Sequence, residues 1–214
     1  MKQIRIGDVT IDAVIEREGP WRRPQDFFPA YDDAVFKHHL RTDHTGWNTV
    51  LRDGRWVPTF PNAKYIFHKT EYAVWEAEYA KGAVRPGKVF RDNCLPIVEA
   101  GQALLVDDDY ALDDTITLTP TPGHSPCHCC VNIFSRGKRA VVAGDLMHHV
   151  IQCREPDWSP GVDWDPKQSA ASRRKFFAEV ADTDTLILPV HFPTPTAGLL
   201  KADGGRFDYR FKRD

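Results

Sequence analysis

The sequence predicts a layered α/β fold in which helices cover β-sheets. From residue 63 onward, strand-like segments alternate with helix-like segments. The segment TLILPV (185–190) is short and wholly apolar, which is typical of a strand buried on both faces. The chain has 214 residues, which is enough for one domain that buries a core without disulfide bonds. We therefore expect a single domain over residues 1–214.

The first 41 residues are predicted to contain little regular structure. Residues 4–15 alternate apolar and polar positions around Gly7-Asp8, which predicts two short strands joined by a tight turn. Glycine and proline then interrupt residues 19–36, where several aromatic side chains are scattered. This stretch is interpreted as an aromatic-rich arm.

The remainder of the chain contains clear signals for strands and helices. Strands are predicted at 63–68, 103–106, 115–121 and 185–190, and a hairpin over 128–134 and 139–145. Thr70 is a residue type that caps helices, and Gly82 would end that helix. Asp165-Pro166 predicts the start of a second helix. Arg173 and its charged neighbours on this helix are expected on the solvent side.

Composition excludes several classes of function. Lys and Arg total 28 against 30 Asp and Glu, for a net charge of −2, so nucleic acid is not an expected partner. No apolar run approaches the roughly 18 residues of a membrane helix. The N-terminus lacks the apolar core of a signal peptide, and five cysteines are an odd number. A cytoplasmic protein that acts on a small molecule is therefore expected.

Four segments place His or Asp at the end of a predicted strand, next to Gly or Pro. They are Thr42-Asp43-His44-Thr45-Gly46, Thr121-Pro122-Gly123-His124-Ser125, Ala143-Gly144-Asp145 and Pro189-Val190-His191. Strand ends emerge at one edge of a layered fold, where loops bring such side chains together. Imidazole nitrogens and carboxylate oxygens are ligands that suit Zn, Mn or Fe at a hydrolytic site.

The order of these segments resembles the metallo-β-lactamase superfamily. Asp-His at 43–44, TPGHS at 121–125, AGD at 143–145 and a strand that ends at His191 match its motifs, and the spacings also fit. DHTGWNT (43–49) and HFPTPTAG (191–198) resemble a branch of lactonase-like and esterase-like hydrolases. The resemblance lies within residues 42–214.

This resemblance implies a four-layer αββα sandwich and one or two divalent metal ions. Zinc is the expected metal, with manganese and iron as alternatives, and the reaction would open a lactone or an ester. His124 would bind the first metal, Asp145 would bridge the two, and Asp43, His44 and His191 would bind the second. Asp43 would also relay a proton to the leaving group, which makes it the expected catalytic residue.

One part of the family motif is missing. The family carries His-x-His-x-Asp-His, whereas this chain has His39-Leu40-Arg41-Thr42-Asp43-His44. Arg41 replaces the second histidine, and an arginine does not deprotonate to bind a metal. The hydrophobic strand that normally precedes the motif is also absent. His39 is either a ligand or part of the arm, and the missing strand favours the arm.

The shortened N-terminus has two consequences. A depleted N-terminal sheet is expected, with at most about three strands before residue 60 and four or five after it. Its exposed edge would be covered by the arm or by a second copy of the chain, so a homodimer is one expectation. A second hypothesis for function also follows. The chain would then be a weak or inactive homologue that keeps the scaffold as a metal-binding or interaction protein.

Other polar residues have ordinary alternatives. The spacing in Cys127-His128-Cys129-Cys130 does not fit a zinc knuckle, so small buried thiols are expected there. His148 and His149 follow Asp145 closely, and either they support the site or they form a surface pair. Trp158 either lines a substrate pocket or anchors its loop.

Overall fold

The computed structural model describes residues 3–12, 48–82 and 88–212. Asp43 and His44, together with His39 and Arg41, lie outside the described residues. The described residues form a mixed α/β fold with several sheets and few helices. The chain groups into two compact units, one of residues 1–28 with 108–214 and one of residues 29–107. The single domain predicted over residues 1–214 stays a prediction.

The larger unit is built on a six-stranded sheet. In chain order its strands are β7 (Ile116–Pro120), β8 (Cys129–Ser135), β9 (Lys138–Gly144), β10 (Leu186–Pro189), β11 (Gly198–Asp203) and β12 (Arg206–Phe211). The spatial order is β12-β11-β10-β9-β8-β7. All neighbours are antiparallel except β9 and β10, which run parallel. A parallel pair needs a long crossover connection, and helices supply it here.

Two helices connect β9 to β10. They are α3 (Ile151–Arg154) and α4 (Pro166–Val180). The side chain of Asp165 accepts hydrogen bonds from the backbone N–H groups of Lys167 and Gln168, both at 3.0 Å. Asp165 is therefore the N-cap of α4, as predicted, and Pro166 fits the first position because its fixed φ suits a helix.

The prediction that Arg173 faces solvent is wrong. Its side chain is fully buried on the inner face of α4, beside Ser169 and Phe177. The helical period places positions 169, 173 and 177 on one face, and the surrounding loops supply oxygens for the guanidinium. Charge alone indicated solvent, whereas the contacts that make burial tolerable come from distant parts of the chain.

Both faces of the six-stranded sheet are covered. Along β10, Ile187 belongs to one buried cluster, whereas Leu186 and Leu188 belong to another. Successive side chains of a strand point to opposite faces, so the clusters lie on the two sides of the sheet. Helix α4 supplies Phe176, Phe177 and Val180 to the first cluster.

A short hairpin covers the second face. It consists of β1 (Gln3–Ile6) and β2 (Val9–Asp12), paired antiparallel as the sequence predicts. Ile6 is buried with Ile133 and Ala140 of the sheet. Gly7 has φ +58, and a Cβ there would lie 2.3 Å from the carbonyl oxygen of Ser135. Only glycine permits this close approach of the hairpin turn to the sheet.

The smaller unit contains two two-stranded sheets. β3 (Thr49–Arg52) pairs antiparallel with β4 (Arg55–Pro58), and β5 (Tyr65–His68) pairs parallel with β6 (Ala103–Val106). Between β5 and β6 lie α1 (Lys69–Ala80), a π-helical turn (Phe90–Cys94) and α2 (Leu95–Glu99). The buried Thr49 hydroxyl lies 3.0 Å from both the Asp92 carbonyl oxygen and Asn93 Oδ1, which ties β3 to the π-helical turn.

Two details of the sequence prediction are wrong. Helix α1 begins at Lys69, and its N-cap is His68 without a side-chain cap, so Thr70 lies inside the helix. Four described strands precede residue 60 and eight follow it, which is more than expected on both sides. The strands at 49–52, 55–58 and 198–203 lack the regular alternation that signals a strand, whereas 206–211 (RFDYRF) has this alternation and was not predicted. Within the described ranges, no helix combines the length and apolar character needed to cross a bilayer.

Candidate metal centre

Two of the predicted ligands meet at the end of the parallel strand pair. Asp145 follows β9 and His191 lies two residues after β10. Because β9 and β10 are parallel neighbours, their carboxyl ends lie at the same edge of the sheet. His191 Nε2 lies 2.6 Å from Asp145 Oδ1. The 46 residues that separate these two side chains in sequence are bridged by the crossover through α3 and α4.

His124 reaches the same point from the loop after β7. Its Nε2 lies 3.3 Å from Asp145 Oδ2, so the two carboxylate oxygens of Asp145 face different imidazoles. The other ring nitrogen, Nδ1, lies 2.9 Å from Oδ1 of Asp163. The structure therefore brings together the three described members of the predicted set, His124, Asp145 and His191.

The loop that carries His124 is held against the start of α4. The backbone N–H of Asp165 donates to the Gly123 carbonyl oxygen at 2.8 Å, and that of Trp164 donates to the His124 carbonyl oxygen at 3.0 Å. Gly123 has φ +131, and a Cβ there would lie 2.1 Å from the backbone nitrogen of Ser169. Glycine is therefore required in TPGHS by both its conformation and its close approach to α4.

His128 fixes the turn that carries Asp145, a role that was not predicted from the sequence. Its Nε2 accepts a hydrogen bond from the Asp145 backbone N–H at 3.0 Å, and its Nδ1 lies 2.8 Å from Thr121 Oγ1. An Nε2 that accepts leaves the proton on Nδ1, which then donates to Thr121. Gly144 has φ +52, and a Cβ there would lie 2.7 Å from His128 Nε2. Extended backbone through residues 127–130 would place His128 on the side opposite to Cys127 and Cys129.

The cysteines around His128 do not form disulfides. Among the described residues, no disulfide bond joins Cys127, Cys129 or Cys130 to another cysteine. Cys130 is buried, as the sequence analysis expects, whereas Cys127 and Cys129 are only partly buried. Burial raises the pKa of the Cys130 thiol to about 11, so this thiol stays protonated at neutral pH.

His148 and His149 occupy different environments. The His148 ring stacks on the His191 ring with centroids 4.9 Å apart, and its Nε2 lies 3.9 Å from Asp145 Oδ1. His149 Nδ1 accepts a hydrogen bond from the Ile151 backbone N–H at 3.1 Å, at the start of α3. His148 therefore lies at the centre, whereas His149 has a local backbone partner. The Trp158 side chain is half exposed, and its carbonyl oxygen accepts from Gln152 and Arg173.

A second buried carboxylate, Asp163, was not predicted. Its side chain has no solvent exposure and contacts His124 Nδ1 and the Arg173 guanidinium. In the sequence it stands in a loop, two residues before the N-cap of α4. Its position resembled that of any polar loop residue, so only its contacts distinguish it.

Burial and hydrogen bonds shift the pKa values of three side chains of the centre, Asp145, His124 and His148. Burial opposes a charged Asp145, but hydrogen bonds with His124 and His191 outweigh burial and hold its pKa well below the usual range. Burial also opposes a charged His124, yet hydrogen bonds with Asp145 and Asp163 raise its pKa to about 9. Burial lowers the pKa of His148 to about 4, so its ring is neutral at neutral pH.

The donor set fits a divalent metal ion. Ligand atoms of Asp145, His148 and His191 lie within 4.8 Å of one another, and so do those of His124, His148 and Asp163. Ligands about 2 Å from a common ion are spaced in this way. Neutral imidazole and ionised carboxylate are also the ligand types that zinc, manganese and iron accept.

Comparison with protein families identifies the fold family. The model of the metallo-beta-lactamase superfamily matches residues 39–191, which is more than half of the chain. The chain belongs to this superfamily. The family predicted from TPGHS, AGD and His191 is therefore confirmed, and so is the α/β fold class. A search of curated protein sequences found no match.

Solved structures of the metallo-beta-lactamase superfamily share the fold. A hydrolase of the beta-lactamase superfamily, AbOPH, superposes with a TM-score of 0.66 at 23% identity, over 76% of this chain and 60% of its own. The dizinc quorum-quenching lactonase AidC superposes with a TM-score of 0.62 at 25% identity, over 73% of this chain and 57% of its own. A probable metal-dependent hydrolase from Staphylococcus aureus superposes with a TM-score of 0.55 at 20% identity, over 73% of this chain and 55% of its own. This superfamily member thus spans less than two thirds of each of these chains.

Proposed function

We propose that this protein is a metal-dependent hydrolase that opens a lactone or an ester of a small molecule. The observation that carries the proposal is the convergence of His124, Asp145 and His191 at the carboxyl ends of β9 and β10. Family membership supports hydrolysis in general. Similarity to a dizinc lactonase at 25% identity favours a lactone and favours zinc, with manganese and iron as alternatives.

Each described residue has a definite place in the proposed centre. Asp145 would lie between two metal ions, because its two oxygens already face different imidazoles. His124 would bind on one side and His191 on the other. Asp43 and His44 are proposed to complete the second site, with Asp43 also carrying the proton to the leaving group. His148 would line the centre beside His191.

The chemistry divides between the metal and the protein. A divalent metal held by His124, Asp145 and His191 would supply Lewis-acid chemistry, by activating water at neutral pH and polarising a carbonyl group. Asp145 keeps its negative charge there, because its pKa is held low. His148 adds no positive charge at neutral pH, because its pKa lies near 4. Its buried ring also helps to exclude water from one side of the centre.

A second candidate function is a metal-binding or interaction protein with little or no turnover. The observation that favours it is Arg41, which stands where the family motif has a metal-binding histidine. In this case the first metal site has fewer ligands, and a single ion in the second site is expected.

Metal analysis combined with turnover tests the proposal. We expect the purified protein to contain one or two zinc ions and to hydrolyse an aryl ester or an N-acyl homoserine lactone. EDTA and the variant His191→Gln should each lower the rate by at least about 10-fold, because both remove part of the centre. The matched control is His149→Gln, which changes a histidine outside the centre and should leave the rate unchanged. One bound metal or none, without turnover, would support the second candidate and contradict the hydrolase.

A further inference from the structure

Asp163 is a buried carboxylate that is not among the proposed metal ligands. Its side chain has no solvent exposure. Placing an ionised carboxylate in the interior is strongly unfavourable unless charged or hydrogen-bonding groups surround it. Its location in the fold therefore calls for a specific partner.

The closest partner of Asp163 is His124. Asp163 Oδ1 lies 2.9 Å from His124 Nδ1, at hydrogen-bond distance. Asp163 Oδ2 has no hydrogen-bond partner among the described residues, and its nearest cation is Arg173, whose NH2 nitrogen is 3.8 Å away. At this distance Arg173 supplies charge but no hydrogen bond.

Arg173 is committed to other acceptors. Its guanidinium donates to the carbonyl oxygens of Leu146 at 2.8 Å and Trp158 at 3.2 Å, and to Ser169 Oγ at 3.0 Å. These bonds join α4 to the segment after Asp145. Arg173 therefore balances the negative charge of Asp163 and does not compete for the Asp163 oxygen that faces His124.

The contact with Asp163 keeps a proton on Nδ1 of His124, also when the ring is neutral, as the ring of a metal ligand must be. A carboxylate only accepts hydrogen bonds, so His124 must donate to it from Nδ1–H. The opposite nitrogen, Nε2, lies 3.3 Å from Asp145 Oδ2 and faces the centre. A neutral His124 ring with its proton on Nδ1 presents the Nε2 lone pair to that centre.

We infer that Asp163 is a positioning residue that holds His124 in the Nδ1–H tautomer, so that Nε2 binds the metal. The inference rests on the proposed function, since it concerns the same centre. A carboxylate behind a histidine ligand fixes the ring and increases its basicity, and loss of such a partner typically costs 10–100-fold in metal affinity. Arg173 stabilises this carboxylate from its other side.

Two other roles for Asp163 give different results. Asp163 could bind a metal itself, because donor atoms of His124, His148 and Asp163 also lie within 4.8 Å of one another. His124 would then coordinate through Nδ1. Alternatively, Asp163 could serve only as the counter-charge of Arg173, and metal affinity would then not depend on it.

The first experiment measures the zinc affinity of Asp163→Asn by competition with a chelating dye. We expect a 10–100-fold weaker affinity than in the wild type. The matched control is Asp157→Asn, because exposed Asp157 also pairs with an arginine of α4, Arg174, but does not contact His124. Asp157→Asn should bind zinc like the wild type. An affinity of folded Asp163→Asn within about twofold of the wild type would overturn the inference.

The second experiment needs no Asp163 variant and decides the matter if Asp163→Asn does not fold. Long-range proton–nitrogen NMR of the zinc-loaded wild type reports which ring nitrogen of His124 carries the proton, and His124→Gln assigns the signals. We expect a protonated Nδ1 and a zinc-bound Nε2. A protonated Nε2 would overturn the inference and would favour Asp163 as a ligand. A wild type that binds no zinc would overturn both this inference and the proposed function, whereas zinc binding with turnover keeps the function whatever Asp163 does.

Discussion

At the scale of single residues, the centre depends on two glycines as much as on its polar side chains. Gly123 and Gly144 both have positive φ and precede His124 and Asp145 directly. Each also lies so close to a neighbouring group that a Cβ would overlap with it. These glycines set the backbone direction from which His124 and Asp145 enter the centre.

The variant Gly123→Ala tests this dependence. Its Cβ would lie 2.1 Å from the Ser169 backbone nitrogen, and alanine at φ +131 is itself strained by about 1–3 kcal/mol. We expect the free energy of unfolding, measured by urea denaturation, to fall by at least about 2 kcal/mol, and zinc affinity to fall with it. Gly161→Ala is the control, because nothing lies within 4 Å of its Cβ. Equal stability of the two variants would show that the loop moves freely away from α4.

At the scale of secondary-structure elements, α4 connects the fold to the centre. At its N-terminal end, the backbone of Asp165 holds the His124 loop. Further along the helix, Arg173 holds the segment after Asp145. Its apolar residues Phe176 and Phe177 anchor it in the main core. The helix therefore links core packing to the position of the proposed ligands.

The cap of α4 gives a prediction at this scale. Asp165→Ala removes the side-chain acceptor for two backbone N–H groups and should lower the free energy of unfolding by about 1 kcal/mol. Asp165→Asn keeps an acceptor oxygen and should stay within about 0.5 kcal/mol of the wild type. Thermal or urea denaturation of the three proteins measures the difference. If Asp165→Asn lost as much stability as Asp165→Ala, charge near the helix end would be the main effect rather than capping.

At the scale of the whole molecule, the smaller unit contains two-stranded sheets whose outer edges have no strand partner among the described residues. Among the described residues, β5 pairs only with β6, and Ile66, Leu104 and Leu105 of these strands are exposed. Proteins cover apolar strand edges, and a second copy of the same chain is a common solution. Burial of these exposed apolar side chains is the physical reason to predict a homodimer.

The homodimer prediction concerns mass in solution. The chain has a mass of 24.3 kDa, and light scattering behind size exclusion should give twice this value at micromolar concentration. Replacing Leu104 with Lys should shift the mass toward the monomer, because a buried charge opposes association. The same change at Leu112, which is exposed in the other unit, is the control. A monomeric mass for the wild type would contradict the prediction.

The family and most elements of the larger unit were predictable from the amino-acid sequence. The motifs that predicted the family are local: TPGHS, AGD and a strand ending at His191. Local motifs are visible in a sequence because the backbone geometry there requires particular residue types. The predicted hairpin over 128–145, the Asp165 cap and the buried strand β10 depend on neighbouring residues in the same way. For this reason these predictions did not need the fold.

The roles of His128, Asp163 and Arg173, in contrast, depend on the assembled fold. Each of these residues has partners distant in sequence: Asp145 for His128, His124 for Asp163, and Leu146 for Arg173. Polarity indicated solvent or an ordinary loop for two of them, because a single sequence does not reveal which distant oxygens or nitrogens make burial tolerable. Burial of a polar group is a property of the assembled contacts, and those contacts exist only once β9, β10 and α4 have packed together.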